Sequence, residues 1–375
     1  MKIMHLADFH LDSAFSGLEL SRAEEKRAQL RECFVCALAR AKEEGVKLVL
    51  IAGDLFDTPF CSFETRKKVF DAISGVGCPV VIAPGNHDYY NKNGTYADKN
   101  IPENAFIFTS NELGRFDFDE LGVSVVGYAF TSDRYEENPL AQEVPLSSEN
   151  VNILCAHAEL GAPFSKYAPL SPNAIARCGF AYAALGHVHN APEPVTAGET
   201  LIAYSGFPQG RSFDELGEGG AYILDIDLET RRVRAERIIL SKMVYAIERV
   251  DVTGASSEDE IAQMVRDAVS SRTERKEDLA LRVRLCGSVP SELSIDVQKM
   301  ALEAPYRSLA LLQIRDETVA NFDLEHLKKD MTVRGEIYRK LLPMLESADD
   351  SERRKASLAL KFALAALDKR EFGID

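Results

Sequence analysis

The chain has 375 residues, 46% hydrophobic and 27% charged, the composition of an ordinary soluble globular protein of about two or three domains. Its net charge of −15 argues against nonspecific polyanion binding by the surface as a whole, so a nucleic-acid substrate would need a local site, bound metal or a partner. The apolar runs are too short for a membrane span, Asp8 interrupts the N-terminal stretch too early for a signal-peptide core, and seven scattered cysteines make no disulfide scaffold; a cytoplasmic, reducing location is expected.

In chain order, residues 2–7 (KIMHLA) read as a strand ending at Asp8. A helix follows. Ser21 and Glu24 form a capping-box pattern at its start, Leu30, Cys33, Phe34, Ala37, Leu38 and Ala41 recur at helical spacing, and Gly45 suits its stop. The continuous apolar run 46–52 reads as a strand covered on both faces, a second helix spans roughly Ser62 to Ser74, and 78–83 is a third strand. This β-α-β-α-β opening predicts α/β structure with parallel strands. Strand-like stretches continue at 122–130, 151–158, 180–189, 200–206, 220–227 and 232–240. The expected organisation is one layered domain over 1–243, a small α+β domain over 244–320 and a helical region over 321–375, in which 357–368 is apolar around most of its circumference.

Polar residues gather where these strands end. They are Asp8 and His10, then Asp54 and Asp57 in GDLFD, then Asn86, His87 and Asp88 in GNHD, then His157, then His187 and His189 in GHVH. Five of the seven histidines occupy such places. Histidine, carboxylate and amide ligands without cysteine suit Mn, Fe or Zn in a hydrolytic site, and strand ends far apart in sequence meet at the carboxyl edge of an open α/β sheet. If the strand conformation continues through D-x-H, Asp8 and His10 project to the same side.

Taken together and in this order, D-x-H, G-D-x-x-D, G-N-H-D, H and G-H-x-H resemble the calcineurin-like metallophosphoesterases. The resemblance implies a layered αββα sandwich, with a small α+β cap domain and a helical C-terminal tail here. It implies two divalent metal ions sharing one carboxylate: Asp8, His10, Asp54 and His189 on the first ion, and Asp54, Asn86, His157 and His187 on the second. Such ions clamp a phosphate and activate a bridging water as nucleophile. His87 then faces the leaving oxygen as proton donor or transition-state stabiliser, and Asp57 accepts a hydrogen bond from His87. For Asp57 and Asp88 a turn-holding role is the alternative.

Thr58-Pro59 stands where phosphoprotein phosphatases carry Arg-Gly, which lowers that reading. The start MKIMHLADFHLDSAF and the segment 204–227 are similar to the SbcD/YhaO branch of DNA-repair exonucleases. That likeness implies Mn²⁺-dependent nuclease activity on DNA, an SbcC-type coiled-coil ATPase partner and a homodimer. The alternatives are a small-molecule or nucleotide phosphodiesterase or phosphatase, or a mainly architectural subunit for an ATPase. Some nuclease relatives have histidine where this chain has Asp57, so that histidine's role does not transfer. Tyr89, Tyr90, Lys92 and Tyr96 are candidates for base stacking and phosphate contact, with a solvated loop as the alternative. Arg211 contacts phosphate or forms a structural salt bridge. Leu358, Leu360, Phe362, Leu364 and Leu367 offer a partner surface or pack on their own domain. Cys33 and Cys36 are expected in core packing, His5 in the core or behind the ligands, and His326 in solvent.

Overall fold

A computed structural model describes residues 1–290, 293–302, 306, 308–321 and 324–367, without the side chains of 320, 324–326, 361 and 365; the expectation for His326 lies outside the described residues. The chain divides into two compact units, Met1–Val244 and Tyr245–Asp375.

The first unit contains β1 (Lys2–Leu6), α1 (Leu20–Glu43), β2 (Leu48–Ile51), α2 (Phe63–Val76), β3 (Val80–Ile82), β4 (Ala105–Ile107), β5 (Gly114–Phe118), β6 (Val123–Gly127) and β7 (Val151–His157). There follow β8 (Glu159–Leu160), β9 (Pro169–Leu170), α3 (Pro172–Cys178), β10 (Tyr182–Gly186), β11 (Val195–Ala197), β12 (Thr200–Tyr204), β13 (Gly220–Ile226) and β14 (Val233–Ile239). Two six-stranded sheets result, ordered β14-β13-β1-β2-β3-β4 and β11-β12-β10-β7-β6-β5. Strands β1 to β4 run parallel, as do β6, β7, β10 and β12; β13 and β14 flank the first set and β11 and β5 the second as antiparallel strands, while the parallel β4 is an edge.

Strand alternation explains the layering. Met4 and Leu6 of β1 pack with Phe34, Leu38, Val69 and Ile73 of α1 and α2. Ile3, Leu48, Leu50 and Val81 face Val125, Ile153, Cys155 and Ala184 of the second sheet. The outer face of that sheet, with Leu154, Ala183 and Leu185, is covered by Ile175 of α3 and by the 128–135 loop through Tyr128, Phe130 and Tyr135. The chain is thus a mixed α/β protein with an αββα arrangement in its first unit. Near-continuous apolar strands were the sequence signal for sheets buried on both faces.

The start of α1 differs from the capping-box expectation. Its N-cap is Glu19 with no side-chain cap bond; the helix begins at Leu20, so Ser21 lies inside its first turn, and Glu24 accepts from Arg27 and Arg31. The stop is as read: Gly45 takes φ +68°, and Val46 N–H closes the turn on the Ala41 carbonyl at 2.9 Å. Ser62 caps α2, its side chain accepting from Thr65 N–H.

In the second unit, β15 (Val244–Asp251), β16 (Leu279–Cys286) and β18 (Leu311–Asp316) form one sheet, and β17 (Ser288–Pro290) pairs with β19 (Val319–Asn321). Helix α4 (Glu258–Ser270) buries Ile261, Ala262, Val265 and Val269 on it, and α5 (Val297–Ala301) adds Met300. Helices α6 (Leu324–Lys329), α7 (Val333–Leu345) and α8 (Asp350–Leu367) complete the chain's described elements. The apolar α8 divides by face: Leu360 and Leu364 pack with Leu327 and Tyr338, while Leu358, Phe362 and Leu367 face outward. No helix among the described residues is long and apolar enough to cross a membrane.

Candidate metal centre

The parallel strands of both sheets deliver their carboxyl ends to one place. Asp8 follows β1, Asp54 follows β2, Asn86 follows β3, His157 ends β7, and His187 and His189 follow β10. The connections after β1 and β2 continue side by side: Asp8 N–H donates to Gly53 carbonyl at 3.1 Å, and His10 N–H to Asp54 carbonyl at 2.9 Å.

The strand does not run on through D-x-H, so the condition under which Asp8 and His10 would project to one side as strand residues is not met. Asp8 (φ 55°), His10 (φ 46°), Asp54 (φ 50°) and His187 (φ 105°) all adopt positive φ. For non-glycine residues that conformation costs on the order of 1–3 kcal/mol each and persists only where surrounding bonds hold it. Here those bonds are the paired loop backbones, together with Asp88. The buried Asp88 carboxylate accepts from Gly85 N–H (2.7 Å), Phe56 N–H (3.1 Å), Asp54 N–H (3.2 Å) and the Tyr96 hydroxyl (2.5 Å). Asp88 is therefore the turn-holding residue, joining GDLFD to GNHD. Gly85 is required by close approach: a Cβ there would lie 2.2 Å from Asp54 Oδ1.

Three overlapping groups have ligand atoms within 4.8 Å of one another: Asp8, His10 and His189; His10, Asp54 and His87; Asp8, Asp54 and His157. Asp54 Oδ2 lies 3.3 Å from His157 Nε2 and 3.6 Å from His10 Nε2, so one oxygen addresses both sides. Asn86 Oδ1 is 2.9 Å from His157 Nε2. His10 and His189 bring their Nε2 atoms to 3.0 Å of each other. Asp8, His10, Asp54 and His157 are all buried.

The hydrogen bonds behind these rings test whether the donors suit a cation. His10 Nδ1 is 3.1 Å from Asp57 Oδ1, and His189 Nδ1 is 2.8 Å from Glu215 Oε1. An imidazole that donates Nδ1–H to a carboxylate keeps its lone pair on Nε2. Two such lone pairs aimed at one point repel unless a proton or a cation lies between them. The donor set fits a divalent ion of the Mn, Fe or Zn kind.

Burial would raise the Asp54 carboxyl, but the imidazoles of His157, His10 and His87 together hold it well below the usual range. Burial would lower His157, but Asp54 and Asp8 lift it to about 9. Asp8, dominated by burial, is pushed up to about 6, and burial holds His10 down at about 4. The Asp8 rise comes from burial, offset in part by His157 and His189, while the His157 rise comes from the carboxylates beside it.

Several predicted residues sit differently. The Asp57 carboxylate does not hydrogen-bond His87: it is nearer His10, and His87 Nδ1 instead meets the Asp57 backbone carbonyl at 3.3 Å, with Oδ1 at 3.7 Å. The His187 ring lies outside the three close groups, 5.1 Å from the His157 ring and 4.7 Å from that of Tyr167, while the His187 backbone N–H donates to Asp8 Oδ1 at 3.0 Å. His87 is exposed at the mouth of the cluster, its N–H donating to Asp54 Oδ1 at 3.0 Å.

Lys92 is exposed and Tyr89 half-buried, whereas Tyr96 is buried on Asp88 and offers no stacking face. Arg211 is bound to Glu215 through Nε (2.9 Å) and Nη2 (2.5 Å), the salt-bridge alternative, beside an open cleft of about 490 Å³. Cys33 is in the core but Cys36, expected there too, is exposed because it falls on the solvent side of α1; His5 is buried between the sheets with Nδ1 2.9 Å from the Tyr182 hydroxyl. Glu215 was missed: in RSFDELGEGG nothing in its type or spacing distinguishes it from Asp214 or Glu218.

Among curated proteins the chain is similar to the uncharacterized metallophosphoesterase YhaO of Bacillus subtilis (strain 168), 28% identical over 324 residues, covering 82% of this chain and 75% of that protein. Among solved structures it overlaps a dimetal phosphatase from Danio rerio (10% identity, 60% of this chain and 92% of that one, TM-score 0.39). It also overlaps Vps29 from Entamoeba histolytica, solved with zinc (13% identity, 64% and 99%, TM-score 0.33). The family model described as calcineurin-like phosphoesterase matches residues 1–191, the span that supplies every ligand position from Asp8 to His189. This chain belongs to the calcineurin-like phosphoesterase family.

Proposed function

We propose that this phosphoesterase is a nuclease subunit of a DNA-repair complex, hydrolysing DNA phosphodiester bonds with two divalent ions, Mn²⁺ in the cell. The observation that carries the reading is a buried cluster of carboxylates and imidazoles around Asp54, overlain by one exposed imidazole, His87. Asp8, His10, Asp54 and His189 would hold one ion, and Asp54, Asn86 and His157, with His187 beside them, the other. Bound there, the ions supply Lewis acidity toward the phosphate. His87, anchored by its N–H on Asp54 Oδ1 and by Nδ1 near the Asp57 carbonyl, presents Nε2 to the leaving oxygen.

The choice of DNA rests on the likeness of the opening motif and of 204–227 to the SbcD/YhaO branch, and on the second unit that follows the phosphoesterase region. Lys92 and Tyr89 beside His87 suit a nucleotide backbone and base. In this reading the chain forms a homodimer, works with an SbcC-type coiled-coil ATPase, and resides in the cytoplasm, where its seven unpaired cysteines stay reduced.

The test is cleavage of end-labelled single- and double-stranded DNA with Mn²⁺, with and without the ATPase, against cyclic nucleotides and nitrophenyl esters. DNA products that vanish in Asp54→Asn support the reading. Turnover of small esters alone, with DNA intact even beside the ATPase, overturns it. That result would favour a small-molecule phosphodiesterase, the reading to which the net charge of −15 points.

A further inference from the structure

The two halves of the centre are backed by different chemistry. On one side, both imidazoles have a carboxylate behind them: Asp57 Oδ1 at 3.1 Å from His10 Nδ1, and Glu215 Oε1 at 2.8 Å from His189 Nδ1. On the other, His157 Nδ1 meets the neutral carbonyl of Ala52 at 3.0 Å, and the facing ligand is the neutral amide of Asn86. Asp54 faces both sides, and Asp8 lies within reach of both, so neither distinguishes them.

A carboxylate hydrogen-bonded to the far nitrogen of an imidazole fixes its tautomer and its angle. It also pulls the ring toward imidazolate character, which strengthens the near nitrogen as a donor. A carbonyl does the first but much less of the second.

Glu215 is built for this role. Its side chain is 4% exposed, and three groups fix it. Arg211 Nε and Nη2 hold it from one side, and Arg211 backbone N–H donates to Oε2 at 2.8 Å. Arg211 in turn is placed by the Ser13 hydroxyl at 3.2 Å. Ser13 hydroxyl donates to the His10 carbonyl at 2.8 Å, so the loop carrying His10 and the loop carrying Glu215 are tied together. The guanidinium cancels part of the local negative charge, with Nη1 also 3.6 Å from Asp57 and Nη2 3.3 Å from His189 Nδ1, where the nearer Glu215 Oε1 is the acceptor. What remains is orientation and donor strength at both imidazoles.

Resting on the two-ion reading above, we infer that Glu215 is a positioning residue for His189. With Asp57 behind His10, it makes the Asp8–His10–His189 position the tighter of the two. The centre fills in order, first there and then at Asp54–Asn86–His157. The second ion is the exchangeable one, and its occupancy sets how much of the protein is competent at low metal.

The experiment uses full-length protein stripped with chelator and titrated with Mn²⁺ alone. Free ion is followed by electron paramagnetic resonance, and retained ion is counted by mass spectrometry after desalting. Wild type is expected to show two classes of site differing at least about tenfold. Glu215→Gln should weaken the tight class by about 10–100-fold and leave the weak class in place, with Asp57→Asn shifting it in the same direction. His157→Ala should remove the weak class and spare the tight one. Circular dichroism of the metal-free variants controls for folding, and Glu215→Asp serves if Glu215→Gln does not fold. One class of equivalent sites in wild type, an unchanged tight class in Glu215→Gln, or loss of the tight class in His157→Ala each overturns the inference. Wild type that binds no Mn²⁺ removes the two-ion reading itself.

Discussion

Asp88 offers the sharpest test of how the loops are held. Its carboxylate is fully buried and accepts from three backbone N–H groups and the Tyr96 hydroxyl, all belonging to the loops that carry Asp54 and Asn86. Truncation in Asp88→Ala orphans four buried donors. A bond to a charged acceptor is worth about 1.5–3 kcal/mol, but the four share one carboxylate, so the sum does not apply; ~3–5 kcal/mol is the expected loss. In Asp88→Asn the amide oxygen can take the place of Oδ1, toward Gly85 and Asp54. Its NH₂ can then donate to Tyr96, leaving the Phe56 N–H facing a donor, at a cost of about 2 kcal/mol. For a unit of this size 1 kcal/mol moves Tm by roughly 2–4 °C, giving drops of about 6–20 °C for alanine and about 4–8 °C for asparagine. Calorimetry of the full chain, read at the transition of the first unit, measures both. If either variant melts within about 1 °C of wild type, Asp88 does not hold these loops, and the account of the strained ligand backbone fails with it.

Gly85→Ala would set a Cβ 2.2 Å from Asp54 Oδ1 and 2.8 Å from Asp54 N, so Mn²⁺ retention after desalting should fall at least about tenfold. Retention equal to wild type would mean the loop yields freely. Burial lowers His5 to about 3 from 6.5, so the folded state keeps it neutral while the unfolded state takes up a proton. Stability must then fall on acidification below pH 6.5, by ~1.4 kcal/mol per pH unit. His5→Gln should flatten the urea-midpoint profile between pH 6.5 and 4.5, and parallel profiles would contradict the burial argument. In α8, Leu360→Ala should cost ~2–5 kcal/mol of local packing and speed hydrogen exchange in α7, whereas Leu358→Ala, at a position 49% exposed, should change either by little. Equal effects would refute the division of that helix into packed and outward faces.

The sequence by itself determined the layered α/β architecture, because strands buried on both faces must be apolar throughout and helices must carry an apolar stripe. It also named the residues that meet, since Asp8, His10, Asp54, Asn86, His157 and His189 each stand where a strand ends, and parallel strands send those ends to one edge. It misplaced what depends on loop conformation. The D-x-H pair meets through left-handed backbone rather than an extended strand, Ser21 caps no helix, Asp57 turns to His10 instead of His87, and Tyr96 goes inward to Asp88. Glu215 was invisible for the same reason. Which nitrogen a carboxylate backs is set by contacts between segments as far apart as His10 and His189, and a periodic pattern along one segment carries no information about the angle at which another arrives.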